Sequence, residues 1–175
     1  MNVENKTILE VKDLTVNYKN HKVINSINLE IKSGNIYSII GPNGCGKTTL
    51  MRAMSRSIKP QSGQVLLNGN NIFKMKTKDV AKQMAVLSQT NDTMSDVTVR
   101  NLLQYGRYAH KEWWKGIRKE DDEIVDWAID RTGLKNFQNR RISTLSGGER
   151  QRAWIAMAIA QKPEILLLDE PTTYL

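Results

Sequence analysis

Apolar and polar residues alternate in two early stretches, 7–18 (TILEVKDLTVNY) and 22–31 (KVINSINLEI), the second carrying Val23, Ile27, Leu29 and Ile31 in phase. A period of two sends successive side chains to opposite faces, so each stretch predicts a half-buried strand. The polar KNH at 19–21 reads as a turn, and Ser33-Gly34 breaks the second stretch. Residues 36–40, IYSII, follow a different rule: a continuous apolar run predicts a strand buried on both faces. After a turn at Ser62-Gly63, QVLLNG at 64–69 predicts a short strand closed by Asn68-Gly69, and AVLSQ at 85–89 predicts another. ILLL at 165–168 again reads as a buried strand.

The intervening segments carry helical spacing. One helix is expected near 47–57, with Leu50, Met51 and Met54, and another over 77–84. From Thr98 to about Tyr108, over 120–131 and over 149–161 the pattern is helical once more. In 120–131 (EDDEIVDWAIDR), Ile124, Ala128 and Ile129 share a face, the acids sit in the first turn where the helix dipole favours them, and Gly133 ends the helix. The expected organisation is α/β: a β subdomain with part of a core over 1–89, a helical insertion over 90–160, and a return to the core over 161–175.

Composition narrows the class. A chain of 175 residues fits one domain or one and a half. It holds no apolar run near the ~20 residues that span a bilayer, and MNVENKTILE lacks the apolar stretch of a signal peptide. The expectation is a cytosolic chain, or one held at a membrane by a partner. Cys45 is the only cysteine, which excludes an intrachain disulfide. The net charge of +8 is dispersed over KMKTK (74–78), KGIRKE (115–120) and NRR (139–141). Without an RNA-recognition or zinc-finger pattern, it reads as a solvated surface, and no nucleic-acid partner is expected.

The chemistry concentrates in three places. Residues 41–48, GPNGCGKT, meet the pattern G-x-x-x-x-G-K-[ST] at Gly41, Gly46, Lys47 and Thr48. Glycines let backbone N–H groups approach phosphate oxygens, and the helix that follows aims its N-terminal dipole at the same anion. Asn43, Gly44 and Cys45 belong to the same cradle. Lys47 would neutralise the β and γ phosphates of ATP, the Thr48 hydroxyl would ligate Mg²⁺, and Thr49 is a further donor. In ILLLDE, the strand delivers Asp169 and Glu170 to its C-terminal edge, where open α/β sheets bind ligands. Asp169 would hold Mg²⁺ through a water and Glu170 would polarise the attacking water. In LSGGERQR at 145–152, Ser146, Gly147 and Gly148 precede a helix and form a second anion-binding helix start. One nucleotide does not need two such starts in one small domain; two copies docked head to tail would use both.

These motifs, in this order, resemble the ATP-binding subunit of ABC transporters, over essentially all of residues 7–175. The resemblance implies a P-loop NTPase core with an N-terminal antiparallel β subdomain and an inserted helical subdomain. It implies ATP and Mg²⁺ as cofactors, a second ATP-binding subunit and an integral membrane permease as partners, and indirectly a substrate-binding protein. The chain would then sit on the cytoplasmic face of the cell membrane. It places Gln89 as a sensor of Mg²⁺ and of the permease, and Tyr18 as the ring that stacks on adenine; by themselves these residues read as a polar strand end and a strand tyrosine. GPNGCGKTTL, TVRNLLQYGRYAH (98–110), LSGGERQRAWIAMAIAQ and DEPTTYL look like importers of iron-siderophore, haem and vitamin B12 type. Trp113 and Trp114 are expected to serve surface packing.

The family pattern continues past Tyr174-Leu175 with an aspartate and a later strand ending in a histidine; His21 and His110 lie elsewhere. That later strand would lie between the phosphate-loop strand and the ILLLDE strand. The expectation is a core lacking its C-terminal part, of low stability and little ATP hydrolysis by itself. Two alternatives stand beside ATP-driven import: a nucleotide-binding fragment that does not hydrolyse, and a soluble ABC protein of translation or DNA repair.

Overall fold

The two alternating stretches pair with each other. In a computed structural model that describes residues 6–18, 21–88, 96–111 and 118–170, strand β1 (Thr7–Tyr18) runs antiparallel to β2 (His21–Lys32). Two further strands, β3 (Ser62–Leu67) and β4 (Asn70–Asn71), complete a sheet of order β2-β1-β3-β4. Leu9 and Val11 of β1 are buried in one phase and Leu14 and Val16 in the other, the change falling at a register shift between Val11 and Leu14. Val65 and Leu67 of β3 are buried in alternation, and helix α1 (Lys47–Met54) adds Leu50, Ala53 and Met54 to this core.

The β1–β2 ladder is irregular near Asp13 and Ser26, both with left-handed φ (46° and 48°). Polar side chains take up the backbone groups that the irregularity releases: the Asp13 N–H donates to Asn28 Oδ1 (2.9 Å) and the Ser26 N–H to Thr15 Oγ1 (3.1 Å). Gly63, read from sequence as a turn, lies inside β3 with φ +82°, and a Cβ there would fall 2.4 Å from the carbonyl oxygens of Lys12 and Asp13. Only glycine fits both the conformation and the space.

The chain divides into two compact units, Met1–Val80 and Ala81–Leu175. In the second, β5 (Met84–Leu87) pairs in parallel with β6 (Ile165–Leu168), in register from Met84↔Ile165 to Leu87↔Leu168. Ile165 and Leu167 are buried while Leu166 and Leu168 are half-buried, so β6 buries one face more deeply than the other. Helices α3 (Val99–Gly106), α4 (Lys119–Arg131) and α5 (Gly147–Ala160) enclose one core, which takes Val99, Leu102 and Leu103, then Val125, Ala128 and Ile129, then Ala153, Trp154, Ala156 and Ala160. The short α2 (Thr77–Gln83) precedes β5. As the spacing predicts, Gly133, at φ +67°, follows the end of α4.

α3 and α5 approach closely. A Cβ on Gly106 would sit 2.4 Å from the carbonyl oxygen of Met157. Next in the chain, Arg107 is buried against Asp121 of α4, Nε to Oδ1 at 2.8 Å, and its Nη1 donates to the Ala160 carbonyl at the end of α5 (3.0 Å). One guanidinium thus ties three helices. His110 lies beside it, its Nε2 2.8 Å from the Gln161 carbonyl; burial, and then the Arg107 charge, hold this imidazole below its ordinary value.

Residues 36–40 correct the sequence reading. They form no strand; Ile36 is 97% and Ile40 92% exposed, and no described residue pairs with them in a ladder. An apolar run becomes a buried strand only where neighbouring strands take its N–H and C=O groups. Gln89, Trp113 and Trp114 lie outside the described residues.

Arg107→Met would leave the Asp121 carboxylate buried without its partner, an expected loss of about 3–5 kcal/mol. Arg107→Met combined with Asp121→Leu should recover most of it, since two apolar groups need no pairing. Urea unfolding of both variants checks the order.

Candidate nucleotide site

The phosphate loop leads directly into α1. Gly46 is the residue before the helix and takes φ +100°; a Cβ there would meet Val23 and Ile24 at 3.1–3.3 Å. At Gly41 the constraint is milder: a Cβ there would fall 2.8 Å from Cys45 Sγ, an exposed side-chain end that can turn away. The first turn of α1 contains no acid, so nothing on the helix repels an anion at its N-terminus. The Lys47 ammonium folds back over the loop and donates to the carbonyls of Gly41 (2.8 Å) and Pro42 (2.9 Å). Neutral carbonyls are weaker acceptors than phosphate oxygens, so an arriving triphosphate would displace them. Gly41, Asn43, Gly44, Cys45, Gly46, Lys47, Thr48 and Thr49 are thereby gathered in one loop and helix start, in the first unit. Tyr18 ends β1 in the same unit, opposite His21 across the ladder and 48% exposed.

The second unit holds the other two motifs. Ser146 caps α5, and Gly147 and Gly148 form its first two positions. The Ser146 Oγ accepts from the Glu149 N–H (3.3 Å), while Glu149 Oε2 accepts from the Ser146 N–H (2.8 Å). This reciprocal capping box was not anticipated above, although S-x-x-E at 146–149 is its sequence signal. The Ser146 N–H holds the Glu149 carboxyl below the usual carboxylate range, followed by the Ser146 hydroxyl and by Arg140 and Arg152. At the far end of the segment, the Asp169 N–H donates to the Leu87 carbonyl (3.0 Å), extending the parallel pairing past β6. Glu170 then takes φ +49°, a left-handed conformation uncommon outside glycine, and is exposed where the strand ends. Asp169 is half-buried.

A glycine loop closed onto a helix start and a parallel strand ending in two acids define a P-loop nucleotide-binding protein. Residues 24–173 match the family model described as ABC transporter. The chain belongs to the ABC transporter family. It is 52% identical over 150 residues to the petrobactin import ATP-binding protein FpuC of Bacillus anthracis, covering 86% of this chain and 55% of that protein. It is 47% identical over 167 residues to the iron(3+)-hydroxamate import ATP-binding protein FhuC of Bacillus subtilis, covering 95% of this chain and 62% of the relative. Among solved structures, a putative metal-chelate type ABC transporter in an inward-facing conformation superposes with a TM-score of 0.81 at 26% identity, over 97% of this chain and 63% of that one. The chain therefore spans less than two thirds of the length of each of these relatives. Among the described residues, no helix is long and apolar enough to cross a membrane.

The capping box makes the start of α5 acid-sensitive. Glu149 has a lowered value in the folded chain, so its contribution is present above the ordinary carboxylate value and is lost as pH falls through the folded one. The protection of the Ser146 amide, its exchange rate taken against the intrinsic rate at the same pH, should fall on acidification, and Glu149→Gln should flatten that dependence. An unchanged pH profile in the Gln variant would remove Glu149 as its source.

Proposed function

We propose that this chain is the nucleotide-handling part of an ATP-driven importer, of iron-siderophore type. The observation that carries the reading is that one chain holds a phosphate loop closed onto an acid-free helix start, α1, and a second helix start, α5 behind Ser146, whose first turn is held by its own Glu149. Two subunits docked head to tail would give each nucleotide a loop from one copy and an LSGG start from the other. The relatives named for petrobactin and hydroxamate import support the cargo class.

In this reading Lys47 exchanges the Gly41 and Pro42 carbonyls for the β and γ phosphate oxygens, and the backbone N–H groups of the loop line the rest of the triphosphate. Tyr18 stacks on the adenine. When bound, Mg²⁺ supplies neutralisation of the charge between the β and γ phosphates. The Thr48 hydroxyl, the Asp169 carboxylate and the Gln89 amide oxygen are hard donors of the kind it takes. Glu170 orients and polarises the water that attacks the γ phosphorus. Ser146, Gly147 and Gly148 meet the same γ phosphate from the partner copy, which couples closure of the pair to the presence of ATP. With this chain on the cytoplasmic face, the integral membrane permease takes up that motion through the helical unit and the segment after Gln89, and a substrate-binding protein delivers the cargo from the other side of the membrane.

Three measurements test this reading on the full-length protein. Lys47→Ala removes a charge-assisted bond and should weaken ATP binding on the order of 10- to 100-fold, read by titration with a fluorescent nucleotide. Glu170→Gln should retain binding and lower phosphate release by about 100-fold or more, the range of a lost general base. Normal turnover in Glu170→Gln would exclude Glu170 as the base. Cells lacking the protein should lose ATP-dependent uptake of a ferric siderophore, and co-purification with ribosomes instead of a permease would overturn the import assignment.

A further inference from the structure

The C-terminal end of α5 is held from outside the helix, at the point where the chain turns toward the acidic strand. Arg107 and His110 occupy the carbonyls of Ala160 and Gln161. Gln161 ends the helix, and its side chain reaches out of it: Nε2 donates to the carbonyl of Ala81 and to that of Met84 (3.1 Å). A side-chain amide nitrogen carries two protons, so one Gln can serve both acceptors. The opposite orientation would set its oxygen against two carbonyls, which fixes which way the amide points.

These acceptors are the entry into β5. Three residues after Gln161, the Glu164 N–H donates to the carbonyl of Gln83 (2.8 Å), and the β5–β6 pairing then runs on to Leu87, which accepts from Asp169. Gln161 therefore bonds the rear of α5 to the strand against which Asp169 and Glu170 are aligned. Between Gln161 and β6 the chain turns sharply, with Lys162 at φ +52° followed by Pro163. α5 is 14 residues long, with Ser146 at its far end. At about 1.5 Å per residue it is a lever of about 21 Å, so a tilt of about 5° at the Gln161 joint shifts the other end by about 2 Å. Displacements of about 1 Å are enough to lower a catalysed rate by up to about 100-fold.

We propose that Gln161 is a positioning residue for hydrolysis, holding the LSGG end of α5 and the acidic end of β6 at a set spacing through its amide bonds to Ala81 and Met84. The inference rests on the ATPase reading of Ser146–Gly148 and of Asp169 and Glu170. Gln161 is not among the residues read above as binding nucleotide, so its loss should act on turnover and spare binding.

The test is steady-state ATP hydrolysis by the full-length protein, with nucleotide affinity and thermal midpoint measured alongside. Gln161→Met keeps the length and deletes the donors; Gln161→Asn keeps the amide and shortens its reach, and stands in should the Met variant not fold. Each is expected to lower kcat about tenfold with KM for ATP within about twofold of the unmodified value. Gln161→Lys, which again presents a donor to the two carbonyls, is expected to restore most of kcat. An unchanged kcat in Gln161→Met or Gln161→Asn would overturn the inference, as would a kcat that falls only in step with nucleotide affinity and thermal midpoint. Absence of hydrolysis by the unmodified protein would overturn the functional reading together with this inference, and so is distinguishable from a failure of the variants.

Discussion

Every peptide group removed from water must find a hydrogen-bond partner, and this constraint decides more of the molecule than any single side chain. Where the partner is another strand, as in β2-β1-β3-β4 and β5-β6, the backbone is ordered into a sheet. Where two strands fall out of step, Asn28 and Thr15 supply the missing acceptors. Where no neighbour among the described residues is available, as at 36–40, an apolar run remains irregular and its isoleucines face solvent. At a helix start the same deficit becomes a resource, because donors without helical acceptors are what a phosphate needs.

The two helix starts use that resource differently. At α1 the local charge is a lysine parked on neutral carbonyls, a state that favours exchange for an anion. At α5 the deficit is already partly met, with Glu149 bonded to the Ser146 N–H and Ser146 Oγ bonded back. A box of this kind holds the first turn in shape before any ligand arrives. The rear of α5 is held with equal care, by a buried guanidinium and an imidazole from outside the helix and by the outward-reaching amide of its own Gln161. Burial of Leu102, Leu103 and Val125 contributes about 1.5–3 kcal/mol each to the same unit. The polar contacts therefore matter less as a source of stability than as the means by which one geometry is chosen.

Much of this was legible in the chain, for local reasons. A period of two and a period near 3.6 are properties of neighbouring residues, so β1, β2, α4 and the parting glycine at 133 could be read directly. The phosphate loop and the acidic strand end were legible because their chemistry requires particular residues at short spacings. The roles of Arg107, Asp121 and Gln161 were not, since each depends on partners between 14 and 80 residues away. The capping box at Ser146 was within reach of its four-residue signal.

The amino-acid sequence by itself determined which stretches could be strands or helices, and where an anion could be held, because propensity, periodicity and glycine placement act within a few residues. Only the tertiary structure decided which of those strands acquired neighbours. ILLL at 165–168 found β5 and became a strand; IYSII at 36–40, of equal apolar promise, did not. The difference lies in hydrogen-bond partners brought from elsewhere in the chain, which no local pattern encodes. The same holds for the end of α5, where a glutamine unremarkable in sequence acquires its place from two carbonyls that folding sets beside it.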